Sequence, residues 1–91
     1  MEQRIMAGIF TAAGLFQEAE TALVAYLRHE GSRDAHSWAD LAKVQHKLGR
    51  RQAAQQSFIA GYRIDAQGIF ARIQKEQDLY EIAAPLFQRR K

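Results

Sequence analysis

Residues 38–58 read WADLAKVQHKLGRRQAAQQSF, in which two helical patterns flank one glycine. Before Gly49, apolar residues recur three and four positions apart, which is the spacing of one helix face. After Gly49, Ala54 and Phe58 lie four positions apart and resume that spacing. Glycine is typical of a helix C-terminus because it adopts the left-handed backbone conformation without a steric penalty. The stretch therefore predicts two helices joined by a tight turn.

The same pattern occurs 35 residues upstream. Small residues align with small ones, and large apolar residues with large ones, in the pairs Gly14–Gly49, Ala19–Ala54, Ala7–Ala42, Met6–Leu41, Leu23–Phe58 and Leu27–Tyr62. Stacked helical hairpins require this correspondence, because equivalent positions pack against the same kind of neighbour. The alignment predicts two antiparallel helix-turn-helix repeats, repeat one at about 1–33 and repeat two at about 34–68.

The rest of the chain also has a helical pattern. It contains a single proline in 91 residues and lacks the alternation of apolar and polar residues that is typical of strands. Asp34 is expected to cap the third helix, since its carboxylate can accept hydrogen bonds from the free amides of the first turn. The predicted helices span about 2–13, 16–30, 35–48, 50–65, 69–75 and 79–89.

Residues 69–91 are expected to cap the second repeat. The apolar residues that would cover it are Ile69, Phe70 and Ile73. Asp78 and Glu81 have the spacing of a capping box at the start of the last helix. Pro85 should kink this helix or move its start toward the proline, because proline lacks the backbone N–H.

Length and composition limit the class of protein. A chain of 91 residues with 47% hydrophobic and 25% charged residues is sized for one domain, 1–91. The sequence has no run of about 18 apolar residues that would predict a membrane span, and its first residues lack the order of a signal peptide. The absence of cysteine excludes disulfides and thiolate chemistry and favours a reducing compartment, the cytoplasm.

The sequence resembles the tetratricopeptide repeat family, whose unit is a helix-turn-helix of about 34 residues. The residues of the second repeat that carry the resemblance are Trp38, Leu41, Ala42, Gly49, Ala54 and Phe58. Gln3 stands where the first repeat would carry the tryptophan, and Gln45 stands where a large apolar residue is usual. The resemblance covers about residues 1–68. It implies an all-α fold of about six helices, stacked as a short right-handed solenoid in which the pattern residues are structural.

The resemblance also implies a concave groove, lined by the first helix of each repeat, that holds a peptide or protein segment. On this basis the groove side is expected to carry Ala39, Lys43, His46 and Lys47 on the third helix and Arg4, Gly8, Thr11 and Ala12 on the first. Of these we expect Arg4, Lys43, His46 and Lys47 to contact the partner. Lys43 and Lys47 share a helix face because they are four positions apart. The resulting positive strip suits an acidic peptide, and a solvated basic face is the alternative. The chain contains no asparagine, so the paired-asparagine clamp of one family variant cannot be present in its usual form.

Ile5 and Ile9 widen the apolar stripe of the first helix beyond one face. Their counterparts in the second repeat are Asp40 and Val44, so the first repeat is the more apolar of the two. We therefore expect an assembly interface at this end, with a second copy of the chain or with upstream repeats. This self-associating or end-capping module is the alternative function.

The sequence predicts neither an enzyme nor a metal or cofactor site. It has no nucleophile elbow, phosphate-binding glycine loop or His-Glu-x-x-His pattern. His36 and His46 are ten positions apart, which places them about 80° apart around a helix. Nucleic-acid binding is disfavoured, because aromatic residues are not interleaved with the basic clusters at Arg50–Arg51 and 89–91.

Overall fold

The computed structural model describes residues 2–29 and 32–88. Its helices are α1 Glu2–Ala12, α2 Phe16–His29, α3 Ala35–Lys47, α4 Arg51–Ile64, α5 Ala66–Lys75 and α6 Gln77–Gln88. The described residues form no strand, which confirms the predicted all-α class with six helices. No helix in this part of the chain combines the length and apolarity that crossing a membrane requires. Residues 89–91 and part of the turn after α2 lie outside the described residues.

The turns that end α1 and α3 have the same structure. Gly14 and Gly49 each have a φ of 80°, in the left-handed region that glycine favours. In both turns the glycine N–H donates to the carbonyl three residues back, and the next N–H donates to the carbonyl five residues back. This pair of bonds is the Schellman motif. The predicted correspondence between the two glycines therefore extends to their backbone hydrogen bonds.

The core consists of two hydrophobic clusters, and α3 contributes residues to both. The first lies between α1, α2 and α3, and the second between α3, α4, α5 and α6. Leu41 belongs to the first cluster, and the predicted structural residues Ala42, Ala54 and Phe58 belong to the second; all four are buried. Trp38 differs from this expectation, because it is only half-buried at the edge of the first cluster. Its Nε1 donates to the carbonyl of Ser32 at 3.0 Å.

The start of the C-terminal segment differs from the prediction. α5 begins at Ala66, because the Asp65 carboxylate accepts a hydrogen bond from the N–H of Gly68 and caps the helix there. The predicted capping box at Asp78 and Glu81 is wrong, since α6 begins at Gln77 and Asp78 lies inside its first turn. Pro85 lies within α6 without ending it.

Gln45 of α3 is buried and makes polar contacts, at a position where the resemblance predicts a large apolar residue. The Ser57 hydroxyl donates to its Oε1 at 2.7 Å, and its Nε2 donates to Glu20 on α2 at 3.2 Å. Glu20 also pairs with Arg50. A hydrogen-bonded polar group thus occupies the position of an apolar one, and it joins α2, α3 and α4.

Helices α3 and α4 are in close contact at Gly61. A Cβ atom built there would lie 2.9 Å from the carbonyl oxygen of Ala35 and 3.1 Å from the Cβ of Trp38. Because a backbone atom is in the way, a larger side chain would force the two helices apart. Gly8 in α1 is the opposite case, since a Cβ there would meet nothing within 4 Å.

Gly61→Ala should lower the free energy of unfolding by about 1–3 kcal/mol, as overpacking in a tight interface does. Gly8→Ala is the matched control and should raise it by about 0.5–1 kcal/mol through helix propensity. Urea unfolding followed by circular dichroism measures both changes. A neutral Gly61→Ala substitution would show that α3 and α4 can separate at no cost.

Candidate functional site

An open groove of about 630 Å³ lies between α1, α3 and the start of α6. The predicted groove residues that line it are Arg4, Gly8, Thr11, Ala12, Lys43 and Lys47. Ala39, which the sequence also assigned to the groove, is fully buried in the core instead. His46 is not among the lining side chains. The structure therefore brings together three of the four predicted partner-binding residues, Arg4, Lys43 and Lys47.

The floor of the groove is apolar. Ala7, Leu23 and Val44 belong to the first hydrophobic cluster, and their edges line the groove. Ile5 and Phe16 add further apolar surface from α1 and α2. An apolar floor with charged groups at its rim is the usual composition of a binding site, because the floor supplies affinity and the polar groups fix orientation.

The predicted positive strip on α3 is paired with carboxylates of the C-terminal segment. The Nζ of Lys43 lies 2.8 Å from Glu76, the Nε2 of His46 lies 2.9 Å from Glu81, and the Nζ of Lys47 lies 3.5 Å from Asp78. We call these three pairs the clasp. They join residues 31 to 35 positions apart, so helical spacing alone gave no sign of them. The strip therefore carries carboxylate partners and is not a bare cationic surface.

Arg72 anchors the clasp between α3 and α5. Its guanidinium donates to Glu76 at 2.8 Å, to Asp40 at 2.9 Å and to the carbonyl of His36 at 3.2 Å. The hydrogen bond from Arg72, together with that from Lys43, lowers the pKa of Glu76 from 4.5 to about 2. Hydrogen bonds to Glu76 and Asp40 raise the pKa of Arg72. Arg72 and Glu76 are therefore both charged at neutral pH. The contacts of Arg72 with Asp40 and of Glu76 with Lys43 join the C-terminal segment to α3.

Arg4 makes a smaller polar contact at the other side of the groove. Its Nε donates to the Ser37 hydroxyl at 3.1 Å and lies 3.4 Å from the Asp34 carboxylate. Burial raises the pKa of Asp34, but hydrogen bonds from Ser37 and Tyr26 outweigh it, so the pKa is lowered overall. Asp34 is also the N-cap of α3, as the sequence predicted, because it accepts from the N–H of Ser37.

The predicted assembly residues lie on an uncovered face of α1. Ile5 and Ile9 are 59% and 57% exposed, and Met6 beside them is 41% exposed. The repeat alignment places Ile9 opposite Val44 and Met6 opposite Leu41, both of which are buried in the first cluster. The face of α3 that packs on the first hairpin thus has a counterpart on α1 that is left largely exposed by the residues that the structure describes.

The structure does not bring His36 and His46 together. His36 lies beside Arg72, whereas His46 lies beside Asp78 and Glu81. Donor atoms of these last three residues lie within 4.8 Å of one another. Helical spacing does not indicate this group, because His46 lies 32 and 35 positions before the two carboxylates.

Comparison of the chain with protein-family models, with curated proteins and with solved structures finds no match. A function is therefore proposed from the groove, the clasp and the exposed face of α1.

Glu76 makes the stability of the chain sensitive to acid. Because its pKa is lowered from 4.5 to about 2, its charge stabilises the fold above a pH of about 4.5, and this contribution is lost as the pH falls toward 2. As the pH falls through this range, the free energy of unfolding should drop by on the order of 1–2 kcal/mol less in Glu76→Gln than in the unaltered chain. Urea unfolding at several pH values measures this effect.

Glu18→Gln, at an exposed carboxylate on α2, controls for the loss of one negative charge. An identical pH profile for Glu76→Gln and the unaltered chain would contradict the stabilising role of Glu76.

Proposed function

We propose that this chain is a tetratricopeptide-like interaction domain, built as a short right-handed solenoid, that catalyses no reaction and binds a protein segment in its groove. The observation that carries the proposal is the groove with an apolar floor between α1 and α3, lined by residues that the resemblance assigned to it. The groove lies on a scaffold in which the pattern residues Leu41, Ala42, Ala54 and Phe58 are buried. The absence of cysteine fits a cytoplasmic location.

The clasp changes which segment the groove would favour. Lys43 and Lys47 already have carboxylate partners, so an acidic ligand would share these cations and would not meet an unpaired charge. The apolar floor would then supply most of the affinity, and the lysines and Arg4 would set orientation. We therefore propose a segment with apolar side chains for the floor and an acidic residue for the rim.

A substitution that fills the groove tests this proposal. Ala12 is exposed and lines the groove, so Ala12→Trp should block the ligand without disturbing the core. Reversing the charge of Lys43 or Lys47 would be less informative, because it would also break the clasp. Peptides selected from a random-peptide display library on the unaltered chain should lose at least about tenfold in affinity, or 1.4 kcal/mol, for Ala12→Trp.

Ala13→Trp is the matched control, since Ala13 is exposed next to Ala12 but is not among the lining residues. The affinities can be measured by fluorescence anisotropy with labelled peptides. If selected peptides bind both variants as tightly as the unaltered chain, the groove is not the binding site.

Self-assembly is the second candidate function, and the exposed apolar face of α1 specifically favours it. Ile5, Met6 and Ile9 form a contiguous apolar surface on one helix, and such surfaces often mark protein interfaces. The equivalent acceptor surface on the second repeat, which includes Phe58, is covered by α5 and α6. Head-to-tail stacking of copies through that surface is therefore blocked, and a symmetric pairing through α1 remains available.

Combined Ile5→Glu and Ile9→Glu substitutions should convert an assembled form to monomer, because each buries a charge in the interface. Light scattering over a wide concentration range measures the mass. Ile64→Glu, at an exposed apolar residue on α4, is the control and should leave the mass unchanged. A chain that stays monomeric at every concentration would contradict self-assembly and leave the groove as the functional surface.

A further inference from the structure

The outer end of the clasp contains a group of metal-ligating side chains. The imidazole of His46 and the carboxylates of Asp78 and Glu81 bring one donor atom each to within 4.8 Å of the others. We infer that these three residues form a binding site for a zinc ion. The site lies beside the proposed peptide groove, because Asp78 lines that groove whereas His46 and Glu81 do not.

Two helices hold the three donors in place. Asp78 and Glu81 are three positions apart in α6, so their carboxylates lie on one helix face. His46 approaches from the last turn of α3, with its Nε2 atom 2.9 Å from an oxygen of Glu81. Zinc–donor distances of about 2.0–2.2 Å place the donors of a tetrahedral site roughly 3.3 Å apart. Small side-chain movements therefore suffice to admit the ion.

The donor types select zinc over the harder cations. One imidazole nitrogen and two carboxylate oxygens suit zinc, whereas calcium and magnesium prefer ligands that are all oxygen. Three protein ligands leave the fourth tetrahedral position for water. The side-chain amide of Gln77 lies 3.3 Å from the second oxygen of Glu81, where it can orient that carboxylate as outer hydrogen bonds do in metal sites.

The charges around the group permit a divalent cation. Asp78 and Glu81 supply two carboxylates, the ligand type that offsets the charge of a divalent cation. Lys43 is engaged by Glu76, outside the group. Lys47 is the direct competitor, because it lies 3.5 Å from Asp78, but its side chain is 48% exposed. Its flexible stem lets the ammonium move away when a metal takes the carboxylate.

A bound zinc ion would link α3 directly to α6. The two helices are already joined there by the pairs of His46 with Glu81 and Lys47 with Asp78. Coordination would replace the pair of His46 with Glu81, which added salt weakens, by metal–ligand bonds. Because binding requires the folded arrangement, zinc should stabilise the fold in proportion to its occupancy.

Zinc chloride titrated into the untagged full chain at neutral pH tests this inference by calorimetry. We expect one ion per chain, a melting temperature that rises with zinc concentration, and at least a tenfold weaker affinity for His46→Gln or Asp78→Asn. Lys47→Gln should bind zinc more tightly, since the competing ammonium is gone. Cobalt substituted for zinc should give the intense visible absorption of a tetrahedral site.

His29→Gln is the matched control, because His29 is an exposed histidine at the end of α2. Circular dichroism establishes that each variant is folded before titration. Absence of zinc binding, or equal affinity in His46→Gln and the unaltered chain, would overturn the inference. A cobalt spectrum without the tetrahedral band would also overturn it.

Discussion

Helix α3 is packed on two sides, and the rest of the structure is arranged around it. Leu41 and Val44 face the first hairpin, whereas Ala39 and Ala42 face α4 and the C-terminal segment. Alanine on the second side and glycine at position 61 allow close helix contact there. The remaining side of α3 carries Lys43 and Lys47, and this leftover surface provides both the groove and the clasp. The charged rim of the groove and the core packing therefore use different faces of one helix.

The sequence predicted the parts of the fold that depend on local chemistry. A glycine in the left-handed conformation ends α1 and α3 where the pattern placed it, and Asp34 caps α3. The position of α6 could not be read in the same way, because it depends on contacts between residues far apart in the chain. These are the burial of Leu79, Ile82 and Ala83 in the second cluster and the ion pairs with α3.

The lysines at the rim of the groove are paired with carboxylates, so the electrostatic potential of the groove differs from that of a simple basic strip. Long-range attraction between the groove and an acidic segment is weakened, because the fields of Lys43 and Lys47 are largely cancelled by Glu76 and Asp78. Shape and apolar contact would then discriminate between ligands. Binding to such a groove should depend only modestly on ionic strength, whereas binding to unpaired lysines would fall steeply as salt is added.

Trp38 gives the chain an intrinsic optical reporter. It is the single tryptophan, and it lies half-exposed at the seam between α2, α3 and α4, with its indole N–H bonded to a turn carbonyl. It is not among the side chains that line the groove. Its fluorescence therefore senses the separation of the two hairpins and not the arrival of a ligand, so an emission shift on ligand addition would reveal movement between the hairpins.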